Sequence, residues 1–215
     1  MIGIFGGTFD PVHYGHLRPA LEIQQALGLD EVRLVPSLVP PHRPQPHATA
    51  QQRLAKLKAA IAGDPAFKVD TREFHREGPS YTLDTLKSLR TELTVAGICL
   101  LIGMDAFREF SSWHRWREIT DYAHLVVMTR PGMPPPEKGE LADFISLHRV
   151  TDVATLKSRA SGLLLFHAVS QLEISGTQIR KLLASGKRAD FLLPYSVLQF
   201  IRSEGLYGTG KPHDE

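Results

Sequence analysis

Residues 2–16 read Ile2-Gly3-Ile4-Phe5-Gly6-Gly7-Thr8-Phe9-Asp10-Pro11-Val12-His13-Tyr14-Gly15-His16. The apolar run Ile2 to Phe5 stops on two glycines, as a short buried strand does at its carboxyl end. Gly6 and Gly7 carry no Cβ and let a ligand come close to the backbone. Thr8 adds a hydroxyl donor, and Pro11 prevents the segment from continuing as a strand. From Leu17 onward, Leu17, Leu21 and Leu27, with Ala20 and Ile23 beside them, recur at helical spacing, and Gly28 is placed to stop the helix. Strand, glycine loop and helix in succession open a βαβ unit. Free N–H groups and the positive end of a helix dipole then meet in one place, which favours an anion. His13 and His16 stand there too and suit a phosphate clamp. A metal pair and plain turn residues are the competing readings of His13-x-x-His16.

The chain repeats this alternation outward from the loop. Glu31 to Val35, Phe67 to Asp70, Ile98 to Ile102, Leu125 to Met128 and Gly162 to His167 read as further strands. Helices are expected over 50–61, 81–93, about 176–184 and about 194–203, with Ser80 or Thr82 capping the second of these. Residues 36–47 and 130–136 are proline-rich loops, the first a candidate lid. The near-continuous apolar runs at 98–102 and 125–128 suit strands covered on both faces. The expected fold is therefore α/β: a Rossmann-like, doubly wound, mostly parallel sheet with right-handed crossovers. Ligands bind such sheets at the carboxyl ends of the strands, near the reversal of strand order. The glycine loop lies at such an end. One domain is expected over 1–207, followed by a polar, flexible tail at 208–215.

Composition narrows the function classes. Of 215 residues, 42% are apolar and 22% charged, which is ordinary for a globular protein. Twenty-five basic and 23 acidic side chains leave a net charge of +2, which supports neither a nucleic-acid surface nor a membrane patch. The one cysteine, Cys99, falls inside an apolar run and reads as a buried strand thiol. No apolar stretch approaches the roughly 20 residues of a membrane span, and no signal peptide is evident, so the cytoplasm is expected. The glycines at 3, 6, 7 and 15 miss the Gly-x-Gly-x-x-Gly spacing of dinucleotide oxidoreductases, and the Walker pattern is absent.

A second chemically loaded stretch is Ile174-Ser175-Gly176-Thr177-Gln178-Ile179-Arg180. Ser175 suits the N-cap of the helix that follows. Thr177 lies in its first turn, and Arg180, on the next turn, can fork onto phosphate oxygens.

Gly6 to His16 resembles the signature of the nucleotidylyltransferase superfamily that carries a His-x-Gly-His element. Ile174 to Arg180 is similar to that superfamily's Ile-Ser-x-Thr-x-Ile-Arg. Two such elements in this order, spanning nearly the whole chain, point to the bacterial nicotinate-nucleotide adenylyltransferases. The resemblance implies a fold of nucleotidylyltransferase type and transfer of AMP from ATP to nicotinate mononucleotide, giving deamido-NAD and pyrophosphate in NAD biosynthesis. It implies Mg2+ held mainly by the ATP phosphates. His13, His16 and Arg180 are then the catalytic residues. Gly6, Gly7, Thr8, Phe9, Gly15, His16, Ser175, Thr177 and Arg180 bind ATP. Gly176 stands where relatives often have serine, so only a backbone contact is expected there. The attacking mononucleotide phosphate is already an anion, so alignment and charge neutralisation carry the catalysis and no general base is needed.

The resemblance extends to the acceptor. Pro40-Pro41-His42-Arg43 resembles a loop that more often reads Pro-Pro-His-Lys, and Arg43 is expected to face a phosphate. Ser80 to Thr85 resembles the family's pyridine-pocket segment, which implies mononucleotide contacts from Tyr81, Thr82 and Thr85. Gly103-Met104-Asp105 matches a Gly-x-Asp element, which places Asp105 on a ribose hydroxyl. Trp113 is expected to stack on the pyridine ring, with Trp116 as its rival. Hydroxyl and N–H donors at a helix start favour a carboxylate over an amide. The alternatives are phosphopantetheine adenylyltransferase or another His-x-Gly-His nucleotidyltransferase and, from a different class, a nucleotide-binding regulator without turnover. Keeping both histidines together with Arg180 argues for turnover.

Overall fold

The computed structural model describes residues 1–39, 45–94, 97–130, 132–170 and 172–210. Its strands are β1 (Ile2–Gly7), β2 (Glu31–Pro36), β3 (Phe67–Val69), β4 (Ile98–Gly103), β5 (His124–Thr129), β6 (Arg149–Val150) and β7 (Leu164–Ala168). Its α-helices are α1 (Tyr14–Leu27), α2 (Ala50–Ala60), α3 (Thr82–Glu92), α4 (Met104–Arg108), α5 (Ile119–Tyr122), α6 (Glu140–His148), α7 (Val153–Lys157), α8 (Gly176–Ala184) and α9 (Tyr195–Ser203). The strands form one sheet in the order β3-β2-β1-β4-β5-β7-β6. Every pairing is parallel. The chain runs from β1 outward to β3, then starts again at β4 on the other side of β1. The order therefore reverses between β1 and β4, which pair through Ile2 with Ile98, Gly3 with Cys99 and Ile4 with Leu100. A crevice at their carboxyl ends is where such a sheet takes its ligand.

Strand periodicity explains the continuous apolar runs. In β4, Cys99 and Leu101 join the core on one face, whereas Ile98, Leu100 and Ile102 join the core on the other. In β5, Val126 and Met128 face the first core, and Leu125 and Val127 the second. Alternate side chains point to opposite faces, so a strand covered on both must be apolar at every position. α1, α2, α8 and α9 cover the first face through Ile23, Leu57, Ile179 and Val197. α3, α4 and α6 cover the second through Leu86, Phe107 and Phe144.

Besides the short helices α4, α5 and α7, which no periodicity marked, the structure departs from the sequence reading in four places. α1 opens at Tyr14, three residues before the apolar periodicity begins, because the His16 and Leu17 N–H groups already bond to the His13 carbonyl. A seventh strand, β6, has only two residues and no apolar pattern. The N-cap of α3 is Tyr81, not Ser80 or Thr82, and its side chain makes no capping bond. The Ser80 hydroxyl instead accepts from the Leu38 and Val39 N–H groups at 3.1 and 3.3 Å. Residues 140–148, read as neither strand nor helix, form α6, whose Phe144 packs against Trp116.

Candidate active site

The first loop leaves β1 with its backbone open. A Cβ built on Gly6 would meet nothing within 4 Å, and the same holds at Gly103, the corresponding end of β4. Beyond Gly7 the chain is held from beneath. The Thr8 carbonyl accepts from Arg53 Nη1 at 2.8 Å. Phe9 adopts a left-handed φ of 49° and is buried, with its ring edge-on to His16 at 5.2 Å. Its side chain therefore packs the loop from within. His13 and His16 stack, centroids 3.8 Å apart. Only 5% of His13 is exposed, and burial pushes its imidazole down to about 4, so it is neutral at pH 7. α1 begins immediately after His13 with no acidic residue in its first turn, which leaves the dipole's positive end uncompensated.

The second signature meets this loop directly. Ser175 Oγ accepts from the Gln178 N–H at 3.1 Å, the expected cap of α8. Arg180 Nη1 donates to the Asp10 carbonyl at 2.6 Å across 170 residues of sequence, and Nη2 donates to Thr177 Oγ1 at 3.2 Å. Two glycines let the backbones touch. A Cβ on Gly15 would lie 2.9 Å from the Ile174 carbonyl oxygen, and one on Gly176 would lie 2.9 Å from that of Asp10. Each signature thus presses a glycine against a carbonyl of the other. The same contact accounts for the departure at Gly176: in this chain a side chain there would crowd both Asp10 and Arg180.

Arg53, Lys56 and Tyr207 escaped the sequence reading. Arg53 and Lys56 lie on the face of α2 that also carries Leu57, and all three are at most 1% exposed. The Asp10 carboxylate accepts from the His47 N–H at 2.7 Å, lies 3.5 Å from Lys56 Nζ and accepts from the Tyr207 hydroxyl, which Lys56 also contacts. Burial alone would raise the Asp10 carboxyl. The Tyr207 hydroxyl, Lys56, the His47 N–H and Arg180 outweigh it and hold the group below its ordinary value.

On the acceptor side, Tyr81 and Thr82 are half-buried at the start of α3. Tyr81 stacks on His114 with centroids 4.3 Å apart, a partner the sequence reading did not name. Thr85 is buried and donates its hydroxyl to Glu73 Oε1 at 2.8 Å. Arg76 Nη2 lies 3.4 Å from both the Tyr81 carbonyl and Thr85 Oγ1. Asp105 is exposed in the first turn of α4, directly after β4. Trp113 is half-buried, edge-on to Phe110 at 5.4 Å, whereas Trp116 is buried among Phe110 and Phe144. Of the two tryptophans, Trp113 is the one with surface to offer. Arg43 lies outside the described residues, as do residues 40–42 and 44.

Comparison with known proteins shows the family. Residues 4–182 match the family model described as cytidylyltransferase-like. A protein of Aeromonas hydrophila named "probable nicotinate-nucleotide adenylyltransferase" is 50% identical over 96% of both chains. One of the same name from Methylococcus capsulatus is 47% identical over 96% of this chain and 99% of its own. The structure of Plasmodium falciparum nicotinic acid mononucleotide adenylyltransferase complexed with NaAD superposes with a TM-score of 0.72 at 18% identity, covering 97% of this chain and 98% of that one, a likeness of fold. The chain belongs to the nicotinate-nucleotide adenylyltransferases, a family of nucleotidyltransferase enzymes within the cytidylyltransferase-like group.

Proposed function

We propose that this chain transfers the adenylyl group of ATP to the phosphate of nicotinate mononucleotide, and that its site residues divide the work as follows. The triphosphate lies over Gly6, Gly7 and Thr8, between the N-termini of α1 and α8. A mononucleotide phosphate oxygen forms a bond to the α-phosphorus while the bond to the bridging oxygen of the β-phosphate breaks, and pyrophosphate leaves with that electron pair. His13 and His16 donate hydrogen bonds to phosphate oxygens as charge shifts toward the leaving group, and Arg180 adds a fixed positive charge. Neutral His13 keeps one N–H to donate, and with its imidazole pushed down to about 4 it is a weak base. The single observation that carries the reading is the joint between the signatures, in which Arg180 is anchored on the Asp10 carbonyl beside the stacked histidines.

Tyr81, Thr82, Asp105 and Trp113 are assigned to the mononucleotide: backbone and hydroxyl donors for its carboxylate, Asp105 for a ribose hydroxyl, Trp113 for the pyridine face. Thr85 serves the same pocket through Glu73, since its hydroxyl is engaged there. Arg43 is assigned to a phosphate from the sequence alone.

Among the described residues, no three His, Cys, Asp or Glu side chains are grouped as metal ligands, and the Asp10 carboxylate is engaged by Lys56 and Tyr207. Mg2+ is assigned, from the family resemblance, to the ATP phosphates, where it would supply charge neutralisation. No described helix is long and apolar enough to cross a membrane. Placement in the cytoplasm rests on the sequence. The experiment is pyrophosphate release from ATP with each mononucleotide in turn. Faster turnover with nicotinate mononucleotide than with its amide is expected. Equal rates, or a preference for the amide, would overturn the acceptor, and no release with either would overturn the reaction.

A further inference from the structure

Lys56 is fully buried, with 0% of the residue exposed. The groups that face it come from four elements: Asp10 after β1, Tyr207 near the C-terminus, Arg53 one turn back on α2, and Arg180 on α8. A buried lysine–carboxylate pair is a weak source of stability, because desolvation of both charges offsets their attraction. Its position suggests another use. Asp10 is fixed at both ends, its carbonyl on Arg180 and its carboxylate on the His47 N–H. That carboxylate holds the loop, yet it puts a negative charge beneath the place assigned to a triphosphate.

We propose that Lys56 is a positioning residue that cancels the charge of Asp10, so that the loop from Thr8 to His16 receives the ATP triphosphate without an opposing anion. The proposal rests on the ATP-binding reading given above. With Lys56 charged, Asp10 and Lys56 sum to zero and the positive charges of Arg53 and Arg180 act on the ligand. With Lys56 neutral, Asp10 cancels one of those two. Burial pushes the Lys56 ammonium down to about 8 despite the pull of Asp10, so this compensation fades just above neutral pH. The Tyr207 hydroxyl is raised by burial and by its bond to Asp10, and stays protonated throughout.

The test is ATP binding by titration calorimetry, without mononucleotide, for wild type, Lys56→Met, Asp10→Asn and the double variant. Lys56→Met is expected to weaken ATP binding roughly tenfold at pH 7.5. Adding Asp10→Asn should restore most of the loss, because the opposing charge is gone. Wild-type affinity should also fall as the pH rises from 7 to 9.5, whereas the double variant's should not. That second comparison decides the matter even if Lys56→Met does not fold. Binding by Lys56→Met equal to wild type, a double variant no tighter than Lys56→Met, or parallel pH profiles would each overturn the inference. Failure of the wild type itself to bind ATP would instead overturn the ATP-site reading.

Discussion

The carbonyl oxygen of Ile174 occupies the space beside Gly15, so that a Cβ on Gly15 would lie 2.9 Å from it and 3.0 Å from His13 Nδ1. Contacts that short do not persist, and neither neighbour is the free end of a flexible side chain. Gly15→Ala must push the two signatures apart or tilt the His13 ring. A misplacement of this size typically costs about a hundredfold in rate, and overpacking costs about 1–3 kcal/mol in stability. Steady-state kinetics with ATP varied, together with urea unfolding, should show both losses. A Gly15→Ala enzyme with normal kcat/KM would mean that the junction is looser than the structure has it.

His16 lies beside His13 at the opening of α1 and is edge-on to Phe9 at 5.2 Å. His16→Ala removes a donor to the phosphates while leaving the Phe9 core in place. Loss of one such donor raises the barrier by about 3 kcal/mol, roughly a hundredfold in rate. The expected signature is a fall in kcat with an unchanged melting temperature. Near-normal turnover would remove His16 from the mechanism.

The pattern of what could be read in advance follows from range. The βα order, the double-sided strands at 98–102 and 125–128, and the loop from Gly6 to His16 are local signals, and each was legible. Ser175 caps α8 for a reason contained within four residues. Arg53 and Lys56 were not legible, because a charged residue on an amphipathic helix reads as solvent-facing unless its partner is known. The partners of Lys56 lie 46 residues before it, at Asp10, and 151 after it, at Tyr207. Thr85 is the converse case. A hydroxyl near a helix start reads as a ligand donor, but the turn of α3 faces it inward onto Glu73, whose carboxylate no pattern announced. The two-residue strand β6 is too short to have a period.

The His13 imidazole makes the fold sensitive to acid. Its ordinary value is 6.5, and burial lowers it to about 4 in the folded protein. The unfolded chain therefore binds the proton more tightly, and stability rises with pH across the window between those values. As the pH falls through that window, this residue removes on the order of 3 kcal/mol. His13→Gln lacks the titration. Urea midpoints of both proteins at pH 7 and pH 4.5 should show a smaller acid loss for the variant. Equal losses would show that His13 does not titrate on unfolding.

Arg53 is 1% exposed and donates to the Thr8 carbonyl at 2.8 Å and to the Leu38 carbonyl at 3.4 Å. It thereby ties the glycine loop to the end of β2. Arg53→Met keeps most of the buried stem but leaves the Thr8 carbonyl without its donor. Removing one partner of a buried charged hydrogen bond costs about 3 kcal/mol. Denaturant unfolding should register that loss, and the KM for ATP should rise because Thr8 is no longer held. A stable Arg53→Met protein with unchanged KM would show that the loop is supported from elsewhere.

Glu73 is 6% exposed, and its Oε2 is buried with no hydrogen-bond partner among the described residues. Burial raises its carboxyl above the ordinary value of 4.5, and bonding to Ser80 and Thr85 together with the charge of Arg76 only partly offsets this. The folded protein therefore holds this proton more tightly than the unfolded chain does. The associated stability is fully present below 4.5 and is lost as the pH rises through the folded value. Glu73→Gln has no charge to lose. Whatever the fixed cost of the amide, the variant should gain on the wild type as the pH is raised from 4.5 to 7.5, as read from urea midpoints at several pH values. Because Glu73 also holds Thr85 at the head of α3, the Glu73→Gln enzyme should show a raised KM for the mononucleotide with its KM for ATP unchanged. A constant stability difference at every pH would show that the Glu73 carboxyl ionises alike in both states, and a matched rise in both KM values would place it at the shared phosphate site instead.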